Sequence, residues 1–156
     1  MCIRDRNSIY TDTKTNIMDE FVMTIKKHKE TIVIALAILM FVLFGFCPAI
    51  DIIGKAKIGG LKLLFEGSGL GFARFLSIFV LLAPMFVALG RSVDLKLTGK
   101  LAENFSALCF VAGIVLCLLF ALALPSGANL AWGSWLYMLT GVLGVVVCRI
   151  EMFTKN

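Results

Sequence analysis

The chain reads as an all-α integral membrane protein, a bundle of four transmembrane helices with a small strand-bearing outer loop between the first and second. Three observations predict this. Sixty per cent of the 156 residues are hydrophobic and only 16% are charged, against about 45–50% and about 25% in soluble domains. The mean hydropathy is +0.95. Four apolar runs approach or reach the roughly 20 residues that a helix needs to cross about 30 Å of hydrocarbon. Such a composition excludes a disordered chain and argues against a soluble domain or a nucleic-acid binder. The net charge of +5 reads instead as loop charge flanking the spans.

Residues 1–17 stand apart. Met1-Cys2-Ile3-Arg4-Asp5-Arg6 resembles a translated sequencing-adapter remnant, and the stretch to Ile17 is polar without a clear period. These residues read as a non-native or disordered leader and are set aside from the fold. Residues 18–156 form the expected single membrane domain, with Met18 as the more natural start.

The first run, residues 31–47, is short for a span, but Lys27 and Lys29 lie at its start, where lysine stems snorkel to the interface. Pro48 is expected to end it. The second run, residues 72–90, carries Pro84, which removes a backbone hydrogen bond and is expected to kink the helix. The third and fourth runs cover residues 101–124 and 129–148. Residues 125–129, PSGAN, read as a plain link that makes these two helices antiparallel.

Between the first two runs lies the longest connection, residues 49–71. Residues 50–58 are partly alternating and predict an extended strand or a hairpin at Gly54. Residues 61–67 predict one or two amphipathic turns with Leu61, Leu64 and Phe65 on the apolar side. The whole reads as a cap over one end of the bundle, with a partner-binding surface as the alternative.

Spacing picks out packing surfaces. Cys109, Gly113, Cys117 and Ala121 recur every four residues in the third run, and Thr140, Gly144 and Cys148 do so in the fourth. Small side chains let helix backbones approach closely in lipid, where van der Waals contact replaces the hydrophobic drive. Trp132, Trp135 and Tyr137, at the start of the fourth run, read as interfacial aromatics.

Beyond residue 17 the positive charges divide unevenly. Lys26, Lys27, Lys29, Arg91, Lys96, Lys100, Arg149 and Lys155 fall on one side, and Lys55, Lys57, Lys62 and Arg74 on the other. The excess places both termini in the cytoplasm. Lys26, Lys27 and Lys29 sit where anionic lipid headgroups attract basic residues.

Chemistry is sparse. No Asp, Glu, Lys, Arg or His lies in the middle of a run, whereas ion-coupled transport usually relies on such a residue. Ser77, Thr140 and Ser106 are the polar candidates at depth, each able to bond back to its own helix. The five cysteines include no CxxC pair, and His28 is the single histidine, so neither a metal site nor a cofactor is expected. The cysteines in apolar runs act as small hydrophobes. The expected role is non-enzymatic: an accessory or partner-binding protein of the bilayer, acting with a membrane-protein partner or a second copy. The alternative is a small transporter or channel subunit working as an oligomer.

A run ending in Phe46-Cys47-Pro48, a strand-like segment, then Gly60-Leu61 and Phe65-Glu66-Gly67 before the second run resembles small four-helix membrane proteins of gut bacteria. That resemblance implies a multi-pass protein of the bacterial inner membrane. The layout is also similar to that of claudins in topology. The claudin tryptophan and paired cysteines are absent from the first loop, so no functional residue carries over.

Overall fold

The computed structural model describes residues 23–25, 27–52, 57–66, 71–92 and 99–153. The described chain is mostly helical. It runs α1 (Lys29–Gly45), β1 (Pro48–Ile52), β2 (Lys57–Gly59), α2 (Gly60–Glu66), α3 (Gly71–Ser92), α4 (Gly99–Leu122), β3 (Ala128–Leu130) and α5 (Trp132–Phe153). The leader, Lys26 and Gly54 lie outside the described residues.

Among the described residues three helices are long and apolar enough to cross a membrane: Gly71–Gly90 within α3, Asn104–Leu122 within α4 and Trp132–Ile150 within α5. At 17 residues, α1 is shorter than these three. It packs along α3 and α5, and α4 packs along the same two helices. All four have apolar residues inside and outside. Val33, Ala37, Met40 and Phe44 of α1 are buried at three- and four-residue spacing, while Ile38, Leu39 and Val42 on the same helix are exposed. The outward faces of α4 and α5 are likewise aliphatic, with Leu108, Val111, Val115, Leu118, Leu139, Val142 and Leu143 uncovered. An apolar surface this continuous suits hydrocarbon rather than water.

The helix α1 ends before Pro48 rather than at it. The N–H groups of Phe46 and Cys47 both reach back to the Val42 carbonyl, at 3.0 and 3.4 Å, and Pro48 instead opens β1. Proline is tolerated at the first residue of a strand because it owes no ladder bond there.

The strands form a small antiparallel sheet in the order β2–β1–β3. Ile50 pairs with Ile58 and Asp51 with Lys57 on one side, while Ile50 pairs with Leu130 and Asp51 with Asn129 on the other. The β2 strand lies on the same stretch as the expected hairpin, but β3 corrects the reading of residues 125–129 as a plain link. Pairing with β1 holds Ala128–Leu130 extended, so α5 begins at Trp132 rather than Asn129. Gly127 adopts a left-handed φ of 99° just before β3, a conformation open to glycine at little cost.

The short helix α2 also departs from expectation. Leu63 is fully buried and Leu61 and Leu64 partly so, but Phe65 is 83% exposed. The close seating of Gly60 on the Phe44 ring and carbonyl fixes which side of α2 faces the core.

Candidate functional site

Among the described residues the interior buries several hydroxyls, and two of them, on Tyr137 and Ser134, lie beside close glycine contacts. The first lies half-way along α3. Pro84 has no N–H, so the carbonyl of Val80, one turn earlier, lacks its regular helical donor. Tyr137 of α5 supplies the replacement: its phenol O–H donates to the Val80 oxygen at 2.8 Å. Tyr137 is fully buried, with the Phe44 ring tilted against it at a centroid distance of 5.5 Å. Phe44 in turn meets Phe120 edge-on at 5.5 Å. The expectation that Tyr137 is an interfacial aromatic is therefore corrected. Trp132 and Trp135 are about half exposed at the start of α5, but Tyr137 points into the core.

Gly113 makes room for this hydroxyl. A Cβ at that position would stand 2.7 Å from Tyr137 Oη and 3.5 Å from both Ala83 Cβ and Met40 Cε. Gly144 is as tight, since a Cβ there would meet the Phe110 ring at 2.7 Å. Cys117 is buried, with its Sγ 4.0 Å from the Ser134 carbonyl. Cys109 and Ala121, further along the same row, are only partly buried. Thr140 donates back to the Leu136 carbonyl at 2.8 Å, and Ser77 to that of Arg74 at 2.7 Å.

The second contact joins α5 to the sheet. The Ala49 carbonyl accepts from the Ala131 N–H at 2.9 Å and from Ser134 Oγ at 2.8 Å. Beside it, a Cβ on Gly133 would stand 2.6 Å from the Pro48 carbonyl and 2.8 Å from that of Leu43. Sequence reasoning missed Ser134 and Gly133. The adjacent Gly133-Ser134 pair between two tryptophans is the signal that points to them.

Of the three lysines placed at lipid headgroups, Lys27 is exposed. Lys29 is buried rather than presented outward, and Lys26 lies outside the described residues. On the hairpin, Lys57 pairs with Asp51 at 3.8 Å. Among the described residues no group of three His, Cys, Asp or Glu side chains could hold a metal ion, and Cys47, Cys109, Cys117 and Cys148 are free thiols. A shallow apolar cleft of about 170 Å³ lies between α1 and α3, lined by Ala37, Ile38, Phe41, Pro84, Met85 and Ala88.

No protein-family model, curated protein or solved structure matches the chain.

Proposed function

We propose that the chain is a non-enzymatic four-span membrane protein that serves as an accessory subunit of a larger membrane assembly. The observation that carries this reading is the use of the interior hydroxyls. Ser77, Ser134, Tyr137 and Thr140 each donate to a main-chain carbonyl. A hydroxyl whose proton is committed in this way is not offered as a donor to a passing solute. The middles of the apolar runs also hold no Asp, Glu, Lys, Arg or His, the usual means of coupling solute movement to a proton gradient.

Support for α1 as the fourth span comes from its N-terminal side. His28 N–H reaches Thr24 O at 3.2 Å and Ile32 N–H reaches His28 O at 3.0 Å, which carries i→i−4 pairing back before Lys29. Both termini lie in the cytoplasm under this reading, with the sheet and α2 outside, in keeping with the distribution of Lys and Arg.

Purified protein in sealed liposomes is expected to give no proton-driven uptake and no ion leak above empty vesicles. Flux that is lost on Ser77→Ala or Thr140→Val would overturn the accessory role in favour of a transporter. Topology is read separately, in a background free of the native cysteines. A membrane-impermeant maleimide is expected to label Phe65→Cys in intact cells and Lys27→Cys only after permeabilisation. The opposite pattern would reverse the orientation.

A further inference from the structure

The short helix α2 stands beside a step in the bundle. Gly45, the last residue of α1, meets both α2 and α3: a Cβ on it would stand 3.2 Å from Leu61 Cδ1 and 3.6 Å from Leu81 Cδ2. Leu81 comes well after Gly71, where α3 begins. At the helical rise of about 1.5 Å per residue, α3 runs on for about 10–15 Å past the end of α1. The turns it adds there belong to the candidate span Gly71–Gly90. Against this step α2 packs on both α1 and α3, with Leu63 fully buried and Gly60 seated on the Phe44 ring.

The face that α2 turns outward is apolar. Phe65 is the most exposed aromatic residue there, and Phe72 and Phe75, in the first turns of α3, are exposed as well. The surface around α2 thus continues the uncovered apolar surface of a helix long enough to span a bilayer. Lys62, one turn before Phe65, is exposed too, and a lysine stem can lie along apolar surface while its ammonium reaches the headgroups. The hairpin differs. Its outward groups are the half-exposed Asp51 and Lys57, paired at 3.8 Å, which suit water.

We propose that α2 lies in the membrane interface of the leaflet on the sheet side, in the place of the turns that α1 lacks. Phe65 sits at the boundary between headgroups and acyl chains, and Lys62 reaches towards the phosphates. The partner of this surface is lipid. Packing on α1 and α3 holds α2 at that depth, so it needs neither the length nor the charge of a free interfacial helix. Water reaches the boundary, and the thiol of Phe65→Cys, shorter than the ring, stays on its headgroup side within reach of an aqueous maleimide.

The test uses the full chain in phosphatidylcholine vesicles, with tryptophan emission as the gauge of depth. The inference rests on the bundle crossing a bilayer and is independent of the accessory role. The unaltered chain reads that premise separately: its two tryptophans, Trp132 and Trp135, are about half exposed at the start of a candidate span, and lipid with brominated acyl chains quenches them if the span is inserted. Phe65→Trp is then placed in a Trp132→Phe, Trp135→Phe background. Its emission is expected to be lost to lipid brominated near the glycerol end of the chain, and less to lipid brominated near the methyl end. Lys57→Trp in the same background is expected to respond to aqueous iodide and not to bromine. Should that background fail to fold, each probe is read as the difference from the unaltered chain. A Phe65→Trp signal that yields to iodide alone would overturn the inference. So would one that neither quencher touches, which marks a protein contact at Phe65. Equal loss to bromine at both probes would overturn it as well, because the indole rather than α2 would then be seeking lipid.

Discussion

Two contacts seat α5 by the same means at different depths. At the sheet, Gly133 lets the helix start approach the Pro48 and Leu43 carbonyls, and Ser134 donates to Ala49 O. Half-way along α3, Gly113 opens the space and Tyr137 donates to Val80 O. The difference lies in the acceptor. Ala49 O also receives the Ala131 N–H, whereas the regular donor to Val80 O is missing because residue 84 is proline. The same glycine-and-hydroxyl device is thus supplementary at the sheet and a replacement at depth. An unsatisfied carbonyl costs more than a lost second bond, so the two sites should answer differently to the same kind of substitution.

Gly113→Leu is expected to have the largest effect. It inserts a branched side chain where even a Cβ is too close to Tyr137 Oη, so it combines overpacking with loss of the hydroxyl contact. A loss of about 3 kcal/mol is expected, read as a lower thermal midpoint in detergent. Ala112→Leu, one residue away and only partly buried, should cost clearly less. Equal losses would mean that Gly113 is not a special point of approach.

Tyr137→Phe comes next. It keeps the ring and removes one oxygen, leaving Val80 O without its replacement donor, at about 1–3 kcal/mol. The loss should shrink when Pro84→Ala is present, because the introduced alanine supplies an N–H to the same carbonyl. A double-mutant cycle measures that coupling. Strict additivity would separate Tyr137 from Pro84 and dissolve the contrast between the two sites.

The helices α3, α4 and α5 were legible because long apolar runs carry their signal in composition. Gly113 and Gly144 were legible as small residues at four-residue spacing, but their neighbours were not. Spacing tells which residues share a face, and only the fold reveals that one faces a phenol and the other the Phe110 ring. Tyr137 was misread because aromatic residues near a span end favour the interface as a class. Yet it lies two residues beyond Trp135, about 200° round the helix, and so on a different face. Pro84 was read as a kink, although a missing N–H also implies a carbonyl in want of a donor. β3 escaped because three residues hold no period. Its partner β1 lies about 80 positions earlier in the chain, and only that pairing makes it a strand.

At the sheet, Ser134→Ala should cost about 1 kcal/mol, less than Tyr137→Phe. The Ala131 N–H remains on Ala49 O, so no buried acceptor is stranded. Hydrogen exchange at Ala131 gives the sharper reading. Its amide should stay protected in Ser134→Ala, since that bond does not pass through the serine. Rapid exchange there would mean that the serine holds the helix start in place, and the two sites would then be alike after all.

Asp51→Asn is expected to have the smallest effect and bounds the comparison from below. Asp51 and Lys57 face each other across the β1–β2 pair at 3.8 Å, each about half exposed. Water and salt screen such a pair, and both side chains give up rotamer freedom to hold it, so its worth is about 0–1 kcal/mol. The β1–β2 ladder is held by main-chain bonds and survives the substitution. The midpoint should therefore fall only slightly in low salt, and the difference should fade as salt rises and screens the charges. A large, salt-independent loss would mean that Asp51 acts through a buried partner, and the sheet end would then hold a polar contact as demanding as the one at Val80.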